Sequence, residues 1–327
     1  MPTAIGRAIE TCGARVLCLA DELTAGLTVK AEAGGEFYGL TLRFSSDFLQ
    51  YPPTYADAVE AGLVSQDFDA GFYGRACRIG ASLRQEAQKE GTPFFNGPAL
   101  RLLQAKQSDS QLHLYVQPTS YFTMVGTNLG LSGYLYPGGA VGEPPLLRHN
   151  WGQVKDWQAG LETSRLANVL ALHQIVHNDQ DIFYFKRVGV TVERDCYQSV
   201  AGVIEGLDMA IEADRELMEE MGVLGGETRW LGLTVSLEWA LPSLQGITHI
   251  DATRDELTVA LAIAADRAGS TGLLHHIKVP RRASQLRRAT QEVLHGQNTH
   301  WSPSGASGLL LALAHLCGEG ALEKALG

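Results

Sequence analysis

A chain of 327 residues with 45% apolar composition is long enough for two domains, or one large one, built round ordinary soluble cores. Its net charge of −10 argues against a nucleic-acid backbone or an anionic membrane surface as partner. The five cysteines, Cys12, Cys18, Cys77, Cys196 and Cys317, are odd in number and lack C-x-x-C spacing, which speaks against a disulfide framework or a zinc site of that kind and for a reducing compartment.

In chain order, the apolar run at residues 14–20 is too short to span a bilayer. Glu10, Asp21 and Glu22 flank it without the basic start of a signal peptide, so a cytoplasmic location is expected. Residues 37–44, 100–105 and 112–117 read as strands, and 55–63 and 73–89 as helices. Pro137-Gly138-Gly139 and Gly142-Glu143-Pro144-Pro145 mark a linker or long loop across residues 137–160. Beyond it, strand-like runs at 169–176 and 182–185 flank a turn at Asn178-Asp179-Gln180-Asp181. Further strands are expected at 199–204, 230–239, 247–252 and 273–279. Thr253 and Glu256 form a capping box for a helix to about Ala268, and two helices follow, at 283–294 and from Ser302-Pro303 to Cys317. This order predicts a smaller α+β domain over 1–150 and a mixed sheet packed between helices over 151–327.

Residues 215–223 read Arg-Glu-Leu-Met-Glu-Glu-Met-Gly-Val. On a helix they set Glu216, Glu219 and Glu220 on one face, while Ala213, Leu217 and Met221 seat the other face on a core and Gly222 ends the helix. Three like charges on one face repel each other, and a bound hard cation such as Mg²⁺ removes that cost.

This segment resembles the second half of the Nudix box, G-x5-E-x7-R-E-U-x-E-E-x-G-U, where U is apolar. The first half departs from it. Counting back from Arg215, the glutamate place falls on Leu207 and the glycine place on Ala201. A register one residue shorter gives Gly202, five residues and Asp208, and Glu205 and Glu212 are nearby carboxylates able to substitute. The resemblance implies a Nudix α/β/α sandwich with Glu216, Glu219 and Glu220 as ligands of Mg²⁺, or of Mn²⁺ in its place. Arg215 would orient Glu219 through an i,i+4 pair.

Three further stretches resemble the two-domain Nudix proteins of the UDP-glucose (UDP-sugar) pyrophosphatase-like group. They are Phe95-Asn96-Gly97-Pro98-Ala99-Leu100-Arg101-Leu102, the run Thr119-Ser120-Tyr121 through Gly126-Thr127-Asn128, and Ser270-Thr271-Gly272 with Arg281-Arg282 ten residues on. The group implies hydrolysis of the pyrophosphate bond of a nucleotide sugar to a nucleoside monophosphate and a sugar 1-phosphate. Arg101, Tyr121, Thr127 and Asn128 would contact the nucleotide. Read without the resemblance, Arg101 is a strand-surface ion-pair residue, Tyr121 a packed aromatic, and Thr127 and Asn128 builders of a turn. The acid expected before Ser270 is replaced by Gly269, which leaves Asp266 and Glu238 as candidates for the general base.

Other features point less far. Arg281, Arg282, Arg287 and Arg288 read as a basic helix face, and His275 and His276 face opposite sides of a strand. The expected partner is a small nucleotide diphosphate, with no nucleic acid and no membrane, for a monomer or homodimer. Two rivals stand beside this enzyme: a non-catalytic nucleotide-sugar sensor or binding protein on a degenerate Nudix fold, and a diphosphatase acting on a specialised metabolite.

Overall fold

The computed structural model describes residues 3–34, 97–129, 166–187, 196–264, 271–296 and 300–327, with a few single positions between them. The strand predicted at 37–44, the break at 137–160 and nearly all of the helices predicted at 55–63 and 73–89 lie outside the described residues.

The larger sheet is of mixed direction. Its path is β1 (Ala14–Leu19), β9 (Glu227–Ser236), β10 (Pro242–His249), β5 (Ala171–His177), β6 (Asp181–Arg187) and β11 (Thr271–Lys278), and β10 and β5 run parallel. The short strands β7 (Tyr197–Gln198) and β8 (Val200–Val203) join β6 and β5 respectively. A second sheet has the order β2 (Thr28–Ala33), β4 (Gln111–Ser120), β3 (Pro98–Ser108). Helix α1 is Ala4–Thr11, α2 Tyr121–Thr127, α3 Met209–Met221, α4 Arg254–Ile263, α5 Ala283–His295, α6 Pro303–Cys317 and α7 Glu319–Leu326.

Alternation along the strands builds three layers. Val176, Phe183 and Phe185 pack with Leu217 and Met221 of α3 and Leu257 of α4, while Ile175, Ile182 and Tyr184 join the core under α5 and α6. Residues 305–314 of α6 are all buried, which makes it the central helix of that layer. Among the described residues, no helix is long and apolar enough to cross a membrane.

The predicted capping box at Thr253 and Glu256 is present, as is the Ser302 cap with Pro303 in the first turn. The hairpin of β9 and β10 differs from its predicted bounds. Pro242 opens β10, where its missing N–H costs little, and Ala240 carries the positive φ of 55° in the turn. A cut at residue 150 also fails to divide the two sheets. Strand β1 pairs antiparallel with β9, and α1 shares the core of α6, so the start of the chain belongs to the larger sheet. In the sequence residues 14–20 are only a short apolar run, with no signal for a partner more than two hundred residues away.

Two features deliver the chain to α3. Strands β5 and β6 pair only at Val176 and His177, and residues 197–203 wedge between them, with β7 on β6 and β8 on β5. Ser199 stands at the crossing, where its Oγ accepts the Val176 N–H at 3.1 Å. The smaller sheet then docks beside the start of the following loop. Leu100 N donates to Ile204 O at 2.9 Å, and Leu170 N to Leu100 O at 2.8 Å.

At the far end of α3, Gly222 is left-handed with φ 70°, and a Cβ there would lie 2.6 Å from the carbonyl oxygen of Ala260 in α4. Gly222→Ala is therefore expected to cost about 1–3 kcal/mol. Urea denaturation measures this, and a change of a few tenths would show that the close α3–α4 approach is dispensable.

Candidate active site

Helix α3 runs antiparallel to β8 and the loop that follows it, and the pairing between them is made by carboxylates. Glu220 Oε2 accepts the Ala201 N–H at 2.8 Å. The Glu216 carboxyl lies against Gly202, where a Cβ would stand 1.9–2.1 Å from its atoms, so only glycine admits it. Glu212 Oε2 accepts the Glu205 N–H at 3.0 Å. These three glutamates come from successive turns and are each 5% exposed or less. Glu219 stands beside the ridge with 43% of its side chain exposed.

One guanidinium pairs with three of the four. Arg215 Nη2 is 2.7 Å from Glu212 Oε2 and 2.9 Å from Glu216 Oε1, and Nη1 is 3.1 Å from Glu219 Oε2. Nη2 also donates to the Val203 carbonyl at 2.8 Å. The i,i+4 pair with Glu219 is thus present, inside a larger fan. Burial pushes Glu216 up to about 7, with Glu219 and Glu212 adding repulsion that Arg215 opposes. Glu205 is raised in the same direction, first by burial and then by Glu212 and Glu219 against Arg215.

The loop ahead of α3 departs from both registers considered in the sequence. Asp208 is the N-cap, and its Oδ1 accepts the N–H groups of Ala210 and Ile211 at 3.0 and 3.3 Å. Leu207 is 48% exposed. The carboxylate that the loop wraps is Glu212, with Gly206 close enough that a Cβ would stand 2.9 Å from its Oε1. Its spacing, four before Glu216 and three before Arg215, is the signal that finds it.

Three of the four residues expected to contact a nucleotide instead fasten the two sheets together. Arg101 is 2% exposed and its Nη2 donates to the Ser164 carbonyl. Thr127 and Asn128 are fully buried. Thr127 Oγ1 accepts the Ala167 N–H at 3.0 Å, Asn128 Oδ1 accepts the Asn168 N–H at 3.0 Å, and Asn128 Nδ2 donates to the carbonyls of Trp239 and Ala240 at 2.9 and 3.2 Å. All three side chains are closed from solvent and bonded to backbone groups. Tyr121 is partly buried at the start of α2, where its N–H meets the Gly97 carbonyl at 3.0 Å. Of the general-base candidates, Glu238 lies in the β9–β10 turn, and Asp266 and Gly269 fall outside the described residues. Among the described residues, no three His, Cys, Asp or Glu side chains already stand at the spacing of a metal site.

No family model matches the chain, and no curated protein matches it. Among solved structures, a MutT NUDIX hydrolase from Burkholderia pseudomallei is similar at 16% identity and a TM-score of 0.27, over 35% of this chain and 87% of that one.

The raised Glu216 has a defined effect on stability. The unfolded carboxyl ionises near its ordinary 4.5 and the folded one near 7, so a penalty grows as pH rises between these values and is complete above 7. Its size is roughly 3 kcal/mol. Glu216→Gln, melted in chelator, is expected to exceed the parent in stability by about 1–3 kcal/mol at pH 8 and to show no gain at pH 4. A variant less stable than the parent at pH 8 would contradict this origin of the shift.

Proposed function

We propose that the protein is a divalent-cation-dependent diphosphatase of the Nudix type, acting on the pyrophosphate bond of a small nucleotide diphosphate, with a UDP-sugar as the expected substrate. The observation that carries this reading is the carboxylate ridge of α3, which sets four acidic side chains on or beside one helix face, three of them paired with one guanidinium, under a glycine that admits no side chain. The donor set suits a hard cation, since it consists of carboxylate oxygens with an excess of negative charge. Arg215 engages one oxygen each of Glu216 and Glu219. Its pair with half-exposed Glu219 is worth no more than about 1 kcal/mol, which a divalent ion can outbid. Glu216, Glu219 and Glu220 would hold Mg²⁺ or Mn²⁺. When bound, such an ion neutralises phosphate oxygens and polarises the attacking water.

The chain's own residues set the conditions for that chemistry. Glu220 is fixed to the β8 backbone and Glu212 to the loop, so the ridge cannot swing away from the sheet. Arg215, tied to Val203, orients Glu216 and Glu219 from one side. Hydrolysis adds water across the P–O–P linkage. One P–O bond breaks, and a nucleoside monophosphate and a sugar 1-phosphate leave.

A second reading is favoured by the same fan. If Arg215 is the permanent occupant of the ridge, the protein is a nucleotide-sugar sensor without turnover. The pure protein with Mg²⁺ should release a mononucleotide from at least one member of a panel of UDP-, GDP-, ADP- and dTDP-sugars, NAD and nucleoside triphosphates. Glu219→Gln and Glu220→Gln should each lower the rate on the order of 100-fold or more with the fold intact. No release from any compound would defeat the enzyme, and ligand binding that survives chelator would then establish the sensor.

A further inference from the structure

Arg215 Nη2 carries two N–H groups and faces three oxygens: Glu212 Oε2 at 2.7 Å, the Val203 carbonyl at 2.8 Å and Glu216 Oε1 at 2.9 Å. Two hydrogens cannot serve three acceptors in full, and the longest of these contacts is the one to Glu216. Nη1 reaches Glu219 Oε2 at 3.1 Å, longer again. The guanidinium is thus held more closely by Glu212 and the backbone than by Glu216 and Glu219.

Glu212 also differs from these two in what encloses it. Its Oε2 accepts the Glu205 N–H at 3.0 Å as well as pairing with Arg215, and its Oε1 lies against Gly206. Its side chain is 7% exposed, against 43% for Glu219. If Glu216 turns away, Nη2 keeps Glu212 and Val203, one acceptor for each of its hydrogens. Giving up Glu216 and Glu219 therefore strands no N–H on Nη2 and costs Nη1 one half-exposed pair.

We propose that Glu212 is a positioning residue that retains Arg215 when a divalent cation takes Glu216 and Glu219, so that the guanidinium yields these carboxylates without leaving the ridge. This inference rests on the reading of α3 as a cation site. The ridge then has two arrangements. Without a cation, Arg215 spreads over Glu212, Glu216 and Glu219. With one, it stays on Glu212 and the Val203 carbonyl while Glu216 and Glu219 turn to the ion. Glu212 does not ligate the ion, because its Oε2 is already shared by Arg215 and the Glu205 N–H. Without the Glu212 charge, the guanidinium would bear on Glu216 and Glu219 alone and compete with the cation for them.

The test is a double-mutant cycle of Glu212→Gln and Arg215→Gln, read by calorimetric titration of the intact protein with Mn²⁺. Glu212→Gln alone should weaken binding at least about tenfold. In the Arg215→Gln background, where no guanidinium competes, the same substitution should change affinity by less than about threefold. Glu212→Asp keeps the charge but draws it back from Nη2, and should lose affinity as Glu212→Gln does. It also takes the place of Glu212→Gln in the cycle if that variant does not fold. An equal loss in both backgrounds, or parental affinity in Glu212→Gln or Glu212→Asp, would overturn this role of Glu212 and leave the cation site standing. A parent that takes up no Mn²⁺ would remove the site itself and this role with it.

Discussion

The arrangement of α3 rests on Arg215. Four carboxylates stand on or beside one ridge of a single helix, three of them buried, and the guanidinium reaches three of the four while fastening itself to the Val203 carbonyl. Without it the ridge would carry like charges in a poorly solvated place, where repulsion and desolvation add. Even with it, Glu216 is held near 7. The helix is therefore seated on its core face by Leu217 and Met221 and left short of positive charge on its acidic one.

The sheet supplies the other half of the constraint. Because β5 and β6 diverge, the segment 197–203 enters between them and presents its backbone to α3. The N–H of Ala201, the bare Cα of Gly202, the carbonyl of Val203 and the N–H of Glu205 then meet Glu220, Glu216, Arg215 and Glu212 in turn. The smaller sheet steadies the same loop through Leu100 and Ile204. Arg101, Thr127 and Asn128 hold that junction closed.

Much of this was legible from the chain, for physical reasons. Periodicity and the glycine stop identified α3, since both are local properties of a helix. The Thr253 and Ser302 caps were readable because capping is decided within four residues. What escaped was decided over distance. The partner of β1, the divergence of β5 from β6, and the burial of Arg101, Thr127 and Asn128 all depend on segments far apart in sequence. Polar residues at a buried joint look the same in a sequence as polar residues at a binding site. Asp208 shows a nearer ambiguity, because a carboxylate before a helix serves equally as a cap or a ligand, and here it caps.

The central claim is that the α3 ridge gathers a hard divalent cation. Electron paramagnetic resonance of Mn²⁺ added to the intact protein tests it most directly, because bound and free ion give distinct signals. Binding should be present in the parent, competed by Mg²⁺, and weakened at least about tenfold in Glu219→Gln and Glu220→Gln. A ridge that takes up no Mn²⁺, or one whose affinity is indifferent to both substitutions, would contradict it.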